Sequence, residues 1–380
     1  MSTYLPFARP ELDEATVAGV VEVLRSGWIA SGPYVLRFEA ALSEYLGGRP
    51  VRAFTSATAA LEVALALAGV GPGDEVIVPA MSFVACANVV LRAGARPVFV
   101  DVDLDTRNTD AARIEAATTP RTRAIMPVHF AGRPVELAPI YELARRRGLR
   151  VIEDAAHAIG ASYGGARIGA RGDLVAFSFH PNKNITTIEG GALSMAALAE
   201  GERAERLRFH GIRRLAGGEM EVEEAGGKFN LPDVCARIGL GQLPRLDKFN
   251  ARRRELAGRY FRRLSGISGV RLPAPDVPGH SWHIFAPLVD FGATGLTRQS
   301  FIEAMHRHGI GVGVHYPAMH LFAAYRRSGY RQGDFPNAEA IGASTVTLPL
   351  FPAMRDDDVD RVCDAVGSIL SAASARTAAR

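Results

Sequence analysis

The stretch Phe177-Ser178-Phe179-His180-Pro181-Asn182-Lys183-Asn184-Ile185-Thr186-Thr187-Ile188-Glu189-Gly190-Gly191 decides the reading of this chain. Its apolar start reads as the end of a strand, and a lysine lies just past it. Hydroxyl residues, an acid and two glycines separate Lys183 from the next apolar run. A lysine serves as a nucleophile toward carbonyls only when its amine can lose a proton near neutral pH, which a desolvated site beside other cations promotes. The plainer alternative for Lys183 is a solvated surface residue.

Outward from that stretch, from about Val51 to Met195, short apolar runs alternate with helical patterns, which predicts strands and crossover helices in a mostly parallel sheet. The candidate strands are Glu75 to Val78, Pro97 to Val100, Ala124 to Val128, Val151 to Glu153, Leu174 to Phe179 and Ala192 to Met195. Ligands of open α/β sheets bind beyond the carboxyl ends of the strands, which makes Asp154 and the residues after Phe179 site candidates. In Val151-Ile152-Glu153-Asp154-Ala155-Ala156-His157, a carboxylate at a strand end is costly unless it meets a cation or several donors. A protonated pyridine nitrogen is one such cation, and capping of a following helix is an equal alternative. Thr55-Ser56-Ala57-Thr58-Ala59-Ala60-Leu61 opens an apolar helix that stops at Gly69, with Ser56 or Thr58 placed to cap it. A helix start with free N–H groups suits a phosphate, although an ordinary N-cap reads the same way.

The 380 residues, 48% of them hydrophobic, allow a large core divided into two lobes. A helical pattern from about Val234 to Leu264 and a Pro/Gly-rich stretch, Leu272 to His280, lead into a smaller lobe that reaches Leu370. The division expected is residues 1–245 for a large lobe and 246–380 for a small one, with Ser371 to Arg380 fraying. Lys and Arg number 44 against 40 Asp and Glu, a net charge of +4, and the basic runs lack interleaved aromatics, which argues against nucleic acid. Cys86, Cys235 and Cys363 lack the spacing of a disulfide framework or a zinc site, and a metal is not expected. Such cysteines fit a reducing, cytoplasmic setting, and neither export nor a membrane anchor is expected, because Met1 to Glu14 lacks a signal peptide's apolar block and no run is long enough to span a membrane.

Taken together and in order, these segments resemble the DegT/StrS family of sugar aminotransferases, a branch of the fold-type-I enzymes that use pyridoxal 5′-phosphate (PLP). Further matching stretches are Gly27-Trp28-Ile29-Ala30-Ser31-Gly32-Pro33, Gly73-Asp74-Glu75-Val76-Ile77-Val78-Pro79, Gly94-Ala95-Arg96-Pro97-Val98-Phe99-Val100-Asp101, His315-Tyr316-Pro317 and Leu348-Pro349-Leu350-Phe351-Pro352. The resemblance implies an α/β fold with a large PLP-binding domain, its mostly parallel sheet flanked by helices, and a smaller C-terminal α/β domain. It further implies that Lys183 holds the cofactor as a Schiff base and shuttles a proton, and that Asp154 pairs with the pyridine nitrogen. Ala57 through its backbone, Thr58 and Ser178 would hold the phosphate, Phe83 would stack on the ring unless it is core filler, and His157 would lie beside the cofactor. A homodimer with shared active sites is implied, Lys228 and Asn230 entering from the neighbouring subunit.

Two departures stand out. Ser56-Ala57-Thr58 carries a Cβ where many members have glycine, and Lys228-Phe229-Asn230 stands where many members have Asn-x-Arg; both resemble the branch containing UDP-4-keto-arabinose aminotransferases. Thr186-Thr187-Ile188-Glu189-Gly190-Gly191 looks like the type that aminates carbon four, with Glu189 near the cofactor face; the carbon-three type is the alternative. His315, Tyr316 and His320 match a segment near the sugar. The implied reaction moves an amino group from glutamate to a nucleotide-linked keto sugar by a ping-pong mechanism, with Lys228, Arg213 and Arg214 as candidate cations for a diphosphate. A regulatory protein without turnover competes with this reading. A related dehydratase would replace Lys183 by histidine, and a nicotinamide enzyme would need GxGxxG in the first strand-to-helix turn, which is lacking.

Overall fold

The computed structural model describes residues 4–378. Nine strands lie between Val51 and Met195: β1 (Val51–Phe54), β2 (Glu75–Pro79), β3 (Arg96–Val100), β4 (Thr122–Ile125), β5 (Arg150–Asp154), β6 (Ser162–Tyr163), β7 (Ala166–Arg167), β8 (Leu174–Ser178) and β9 (Gly191–Met195). β6 and β7 form a small hairpin; the other seven make one sheet in the order β1-β9-β8-β5-β4-β2-β3. β2, β3, β4, β5 and β8 pair in parallel, and β9 runs against both its neighbours, β8 and β1. The sheet is therefore mostly parallel, and helices such as Ala57–Leu67, Ala85–Arg92 and Leu137–Arg147 cross over between its strands.

Both faces of the sheet are buried, which is why its strands read as unbroken apolar runs. Val76, Val78, Ile152, Leu174 and Ala176 enter one core; Ile77, Val151, Val175 and Phe177 enter another on the opposite face. A third core joins Leu256, Tyr260 and Leu264 to Phe285, Phe301, Val346 and Val362, and Leu5 packs into it while bridging Ile310. N-terminal residues thus share the C-terminal core.

Several boundaries differ from the sequence expectation. β1 did not stand out because Arg52 interrupts its four residues, yet it pairs along its whole length with β9. β4 ends at Ile125: Pro127 has no N–H to extend the ladder, although its carbonyl accepts from Asp154 N–H at 2.9 Å and Val128 still bridges Asp154. The expected helix Val234 to Leu264 is two helices, Asp233–Gln242 and Leu246–Leu264, joined by a 3₁₀ turn at Leu243–Arg245 around Pro244, whose ring excludes a regular helix interior. The last helix, Asp356–Ala378, continues through most of the segment expected to fray. No helix among the described residues is long and apolar enough to cross a membrane.

Candidate active site

The carboxyl ends of β1, β5 and β8 and the amino end of the reversed β9 meet on one edge of the sheet, Gly191 lying between Phe54 and Ser178 in the ladder. Gly191 is required there: a Cβ would sit 2.4 Å from Ala57 N and 2.4 Å from Ser56 C, both backbone. That close approach presses the start of helix Ala57–Leu67 against the strand ends. Ser56 caps the helix, its Oγ accepting from Ala59 N–H at 3.1 Å, so the N–H groups of Ala57 and Thr58, which have no intrahelical acceptor, remain for a ligand.

Beside that helix start opens a cavity of 330 Å³. Ala57, Thr58, Phe83, Asp154, His157, Ser178, Lys183, Glu189, His315 and Tyr316 all border it. Asp154 is 5% exposed, and the one hydrogen bond to its carboxylate among the described residues comes from Ala156 N–H at 3.0 Å. No helix follows, so Asp154 closes a turn rather than capping a helix. Burial raises its pKa, and the nearby Lys183 acts the other way. Lys183 shows the complementary effect: burial lowers its pKa from 10.5 to about 8 against the pull of Asp154. The site holds a carboxylate and an ammonium that both lack sufficient counter-charge.

Hydrogen bonding fixes the imidazoles around Lys183. The Asn184 amide donates through Nδ2 to Asn250 Oδ1 (2.6 Å) and to the Ser281 carbonyl (2.9 Å), so its Oδ1 accepts from His283 Nδ1–H at 3.2 Å. The lone pair of His283 Nε2 then faces Lys183 Nζ at 3.5 Å. His157 accepts from Ala131 N–H through Nδ1 (3.3 Å), which puts its proton on Nε2, directed at the Tyr316 hydroxyl at 3.2 Å. Burial holds both imidazoles neutral, well below the usual histidine range. His315 gives Nδ1 to a contact with Thr347 Oγ1 at 2.9 Å, stacks on Phe7 and is lowered to about 4 by burial. His283, Asn184 and Asn250 were missed by sequence reasoning; a histidine 100 residues from the lysine in sequence carries no local signal of its role.

Other expected residues lie elsewhere. Phe83 is 53% exposed at the mouth, its ring 5.8 Å from that of Tyr316. Glu189 borders the cavity, largely exposed, with His180 Nε2 3.9 Å away. His320 is a correction: it is fully buried away from the cavity, its Nε2 bonded to Glu339 Oε1 at 2.9 Å and its ring against Phe335. Lys228 and Asn230 do not border this chain's cavity. Lys228 Nζ donates to Asn230 Oδ1 at 2.6 Å over the Phe209 ring, and Asn230 reaches Ser31 Oγ and borders a separate cavity with Arg206, Arg213 and Arg214. Within that cavity Arg213 is committed to Glu221 (2.6 Å) and Glu223 (2.9 Å).

The residues present fit PLP: a lysine of lowered basicity, a buried carboxylate short of a cation, and a helix start with unspent N–H donors face one cavity. Comparison with known proteins agrees. The model of the DegT/DnrJ/EryC1/StrS aminotransferase family matches residues 10–367. The spore coat polysaccharide biosynthesis protein SpsC of Bacillus subtilis (strain 168) is 40% identical over 381 residues, covering 97% of this chain and 98% of that protein. The PMP-form structure of the putative sugar aminotransferase Spr1654 from Streptococcus pneumoniae superposes with a TM-score of 0.92 at 31% identity, covering 98% of this chain and 99% of that one. The aminotransferase TlmJ from Streptoalloteichus hindustanus superposes with a TM-score of 0.89 at 37% identity, covering 97% and 99%.

Proposed function

Because the chain belongs to the DegT/DnrJ/EryC1/StrS aminotransferase family and is a PLP-dependent sugar aminotransferase, we propose that it moves an amino group from glutamate to carbon four of a nucleotide-linked keto sugar. The observation that carries the reading is the shared cavity of Lys183, Asp154 and Glu189. PLP supplies an electrophilic carbonyl and an electron-accepting ring. Lys183, whose basicity burial lowers to about 8, would hold the cofactor through its amine and would take and return the proton at the reacting carbon. Asp154 would pair with a protonated ring nitrogen, the N–H groups of Ala57 and Thr58 with the Ser178 hydroxyl would hold the phosphate, and Phe83 would cover the ring. His283 Nε2 accepts from the Lys183 amine and fixes where its lone pair points.

Glu189 and the segment from Thr186 support carbon four, and His315 and Tyr316 border the space left for the sugar. Lys228 and Asn230 do not border this chain's own cavity, so in this reading they would serve the site of a neighbouring subunit in a homodimer. Exposed Trp28 (61%), Met220 (65%) and Val222 (59%) are apolar surface of the kind such an interface covers. With Arg213 held by two glutamates, Arg214 and Lys228 are the cations offered to a diphosphate. The role of the Bacillus relative in spore coat polysaccharide biosynthesis favours a product destined for a polysaccharide. Sugar nucleotides and three unpaired cysteines fit a cytoplasmic enzyme.

The test is the absorption spectrum of purified protein with added PLP, before and after glutamate, beside Lys183→Ala. Wild type gains the band of lysine-bound cofactor and loses it with glutamate, while the variant never forms it. A wild-type protein that ignores glutamate refutes the donor. Keto-sugar nucleotides are then offered to the glutamate-treated protein and the position of the new amine read by NMR; an amine at carbon three refutes the regiochemistry. A monomeric mass at full activity refutes the shared site.

A further inference from the structure

Arg107 is a buried cation whose side chain makes no hydrogen bond among the described residues and whose one opposing charge is Asp105. It is 3% exposed and has φ 61°, a left-handed conformation that a residue with a Cβ adopts at a cost. The tight loop before it imposes that conformation: Asp103 Oδ1 accepts from Thr106 N–H (2.8 Å) and Asp105 N–H (3.0 Å), and Asp103 O accepts from Arg107 N–H (2.8 Å). The loop turns the side chain inward, where no hydrogen bond or ion pair reaches the guanidinium among the described residues, and Nε is buried without an acceptor. Its one aromatic contact is the Phe130 ring, with Cζ 5.9 Å from the centroid. Burial lowers its pKa to about 10, which leaves it charged at neutral pH.

The side chain borders a cavity of 20 Å³ shared with Arg133 and His280. Arg133 spends one Nη1 bond on the Pro275 carbonyl at 2.9 Å, so most of its five donors are unspent. His280 Nδ1 accepts from Trp282 N–H at 2.9 Å, which places the ring proton on Nε2. The carboxylate on this cavity, Asp105, is half exposed and bound to Arg271 at 2.6 Å. The cavity is thus walled largely by apolar residues, with N–H donors from Arg107, Arg133 and His280 and a net positive charge. A single water needs roughly 10–15 Å³ by the same kind of measure, so the space matches one small monatomic ion. A water there satisfies geometry but brings no negative charge, and Asp105, half exposed and shared with Arg271, offsets the Arg107 charge only in part.

We propose that the cavity between Arg107, Arg133 and His280 binds one halide-sized anion, chloride under ordinary conditions. Its walls also back the active site. Phe130 packs edge-on to His157 (6.0 Å) and Tyr316 (6.3 Å), and Ala131 both donates to His157 Nδ1 and accepts from His283 N–H at 2.9 Å. The anion therefore braces the loop that positions both histidines.

The test compares melting of the PLP-loaded protein in sodium chloride and in sodium gluconate at equal ionic strength, gluconate being too large for the cavity. Chloride at about ten times its Kd raises Tm by about 2 °C for a chain of this size, and Arg107→Met abolishes the difference between the salts. Equal melting of wild type in both salts, or a difference that survives in Arg107→Met, overturns the proposal. Should that variant fail to fold, wild-type crystals soaked in bromide decide: an anomalous peak between Arg107 and His280 supports the site, and a map without one there refutes it.

Discussion

Replacing Lys183 by methionine is expected to stabilise the cofactor-free protein. In the fold the ammonium titrates at about 8, and in the unfolded chain at its ordinary 10.5. The displacement corresponds to about 3 kcal/mol between the two protonation states. At pH 7 both folded and unfolded chains carry the proton, so the fold bears the whole cost of the buried charge. Between pH 8 and 10.5 the unfolded chain binds more protons than the folded one, so wild-type stability rises with pH and the cost fades. Methionine keeps the length of the side chain and removes the charge. Urea unfolding of both apoproteins is expected to show the variant ahead by up to about 3 kcal/mol at pH 7, the gap closing as pH approaches 10.5. A variant weaker than wild type at pH 7, or a gap that does not change with pH, refutes the reasoning that burial governs Lys183.

His283→Leu removes the acceptor facing Lys183 and strands Asn184 Oδ1, so the pH midpoint for PLP capture drops by roughly half a unit or more, and the protein loses about 1–3 kcal/mol; an unchanged midpoint in a stopped-flow titration rules out the contact. Asp154→Asn relieves a carboxylate whose pKa burial raises. Wild-type apoprotein loses stability as pH rises through 3.8 toward that raised value while the variant does not, and the variant binds PLP at least about tenfold more weakly; equal PLP affinity by equilibrium dialysis contradicts the role assigned to Asp154. Gly191→Ala places a methyl 2.4 Å from Ala57 N, and a shift of the phosphate-binding helix start is expected to cost about 1–3 kcal/mol and to weaken PLP binding; unaltered binding and Tm argue against the close approach.

The parts of the fold legible in the sequence were those whose signal is local. β5 and β8 are continuous apolar runs that end in polar residues because a parallel sheet is buried on both faces, and those endings place Asp154 and Ser178 at the site edge. Arg52 hid β1, whose strand character comes from pairing with β9 across some 140 residues of sequence. The break at Pro244 was locally signalled and overlooked, since the apolar period continues on either side of it. His320 and His283 look alike as isolated histidines in the C-terminal part of the chain. What separates them is the partner each meets in the fold, Glu339 for one and the Asn184 carbonyl oxygen for the other.

That difference also explains how the chain prepares Lys183. If His283 carried its proton on Nε2, two donors would face each other at 3.5 Å and the amine would be held away. Asn250 and the Ser281 carbonyl consume the Asn184 amide hydrogens, which leaves an oxygen that only Nδ1–H can satisfy, and the lone pair at Nε2 follows. Asn250 lies on the long helix Leu246–Leu264, whose later turns pack in the third core, so the imidazole facing the lysine is set by the C-terminal part of the chain while Lys183 itself hangs from β8.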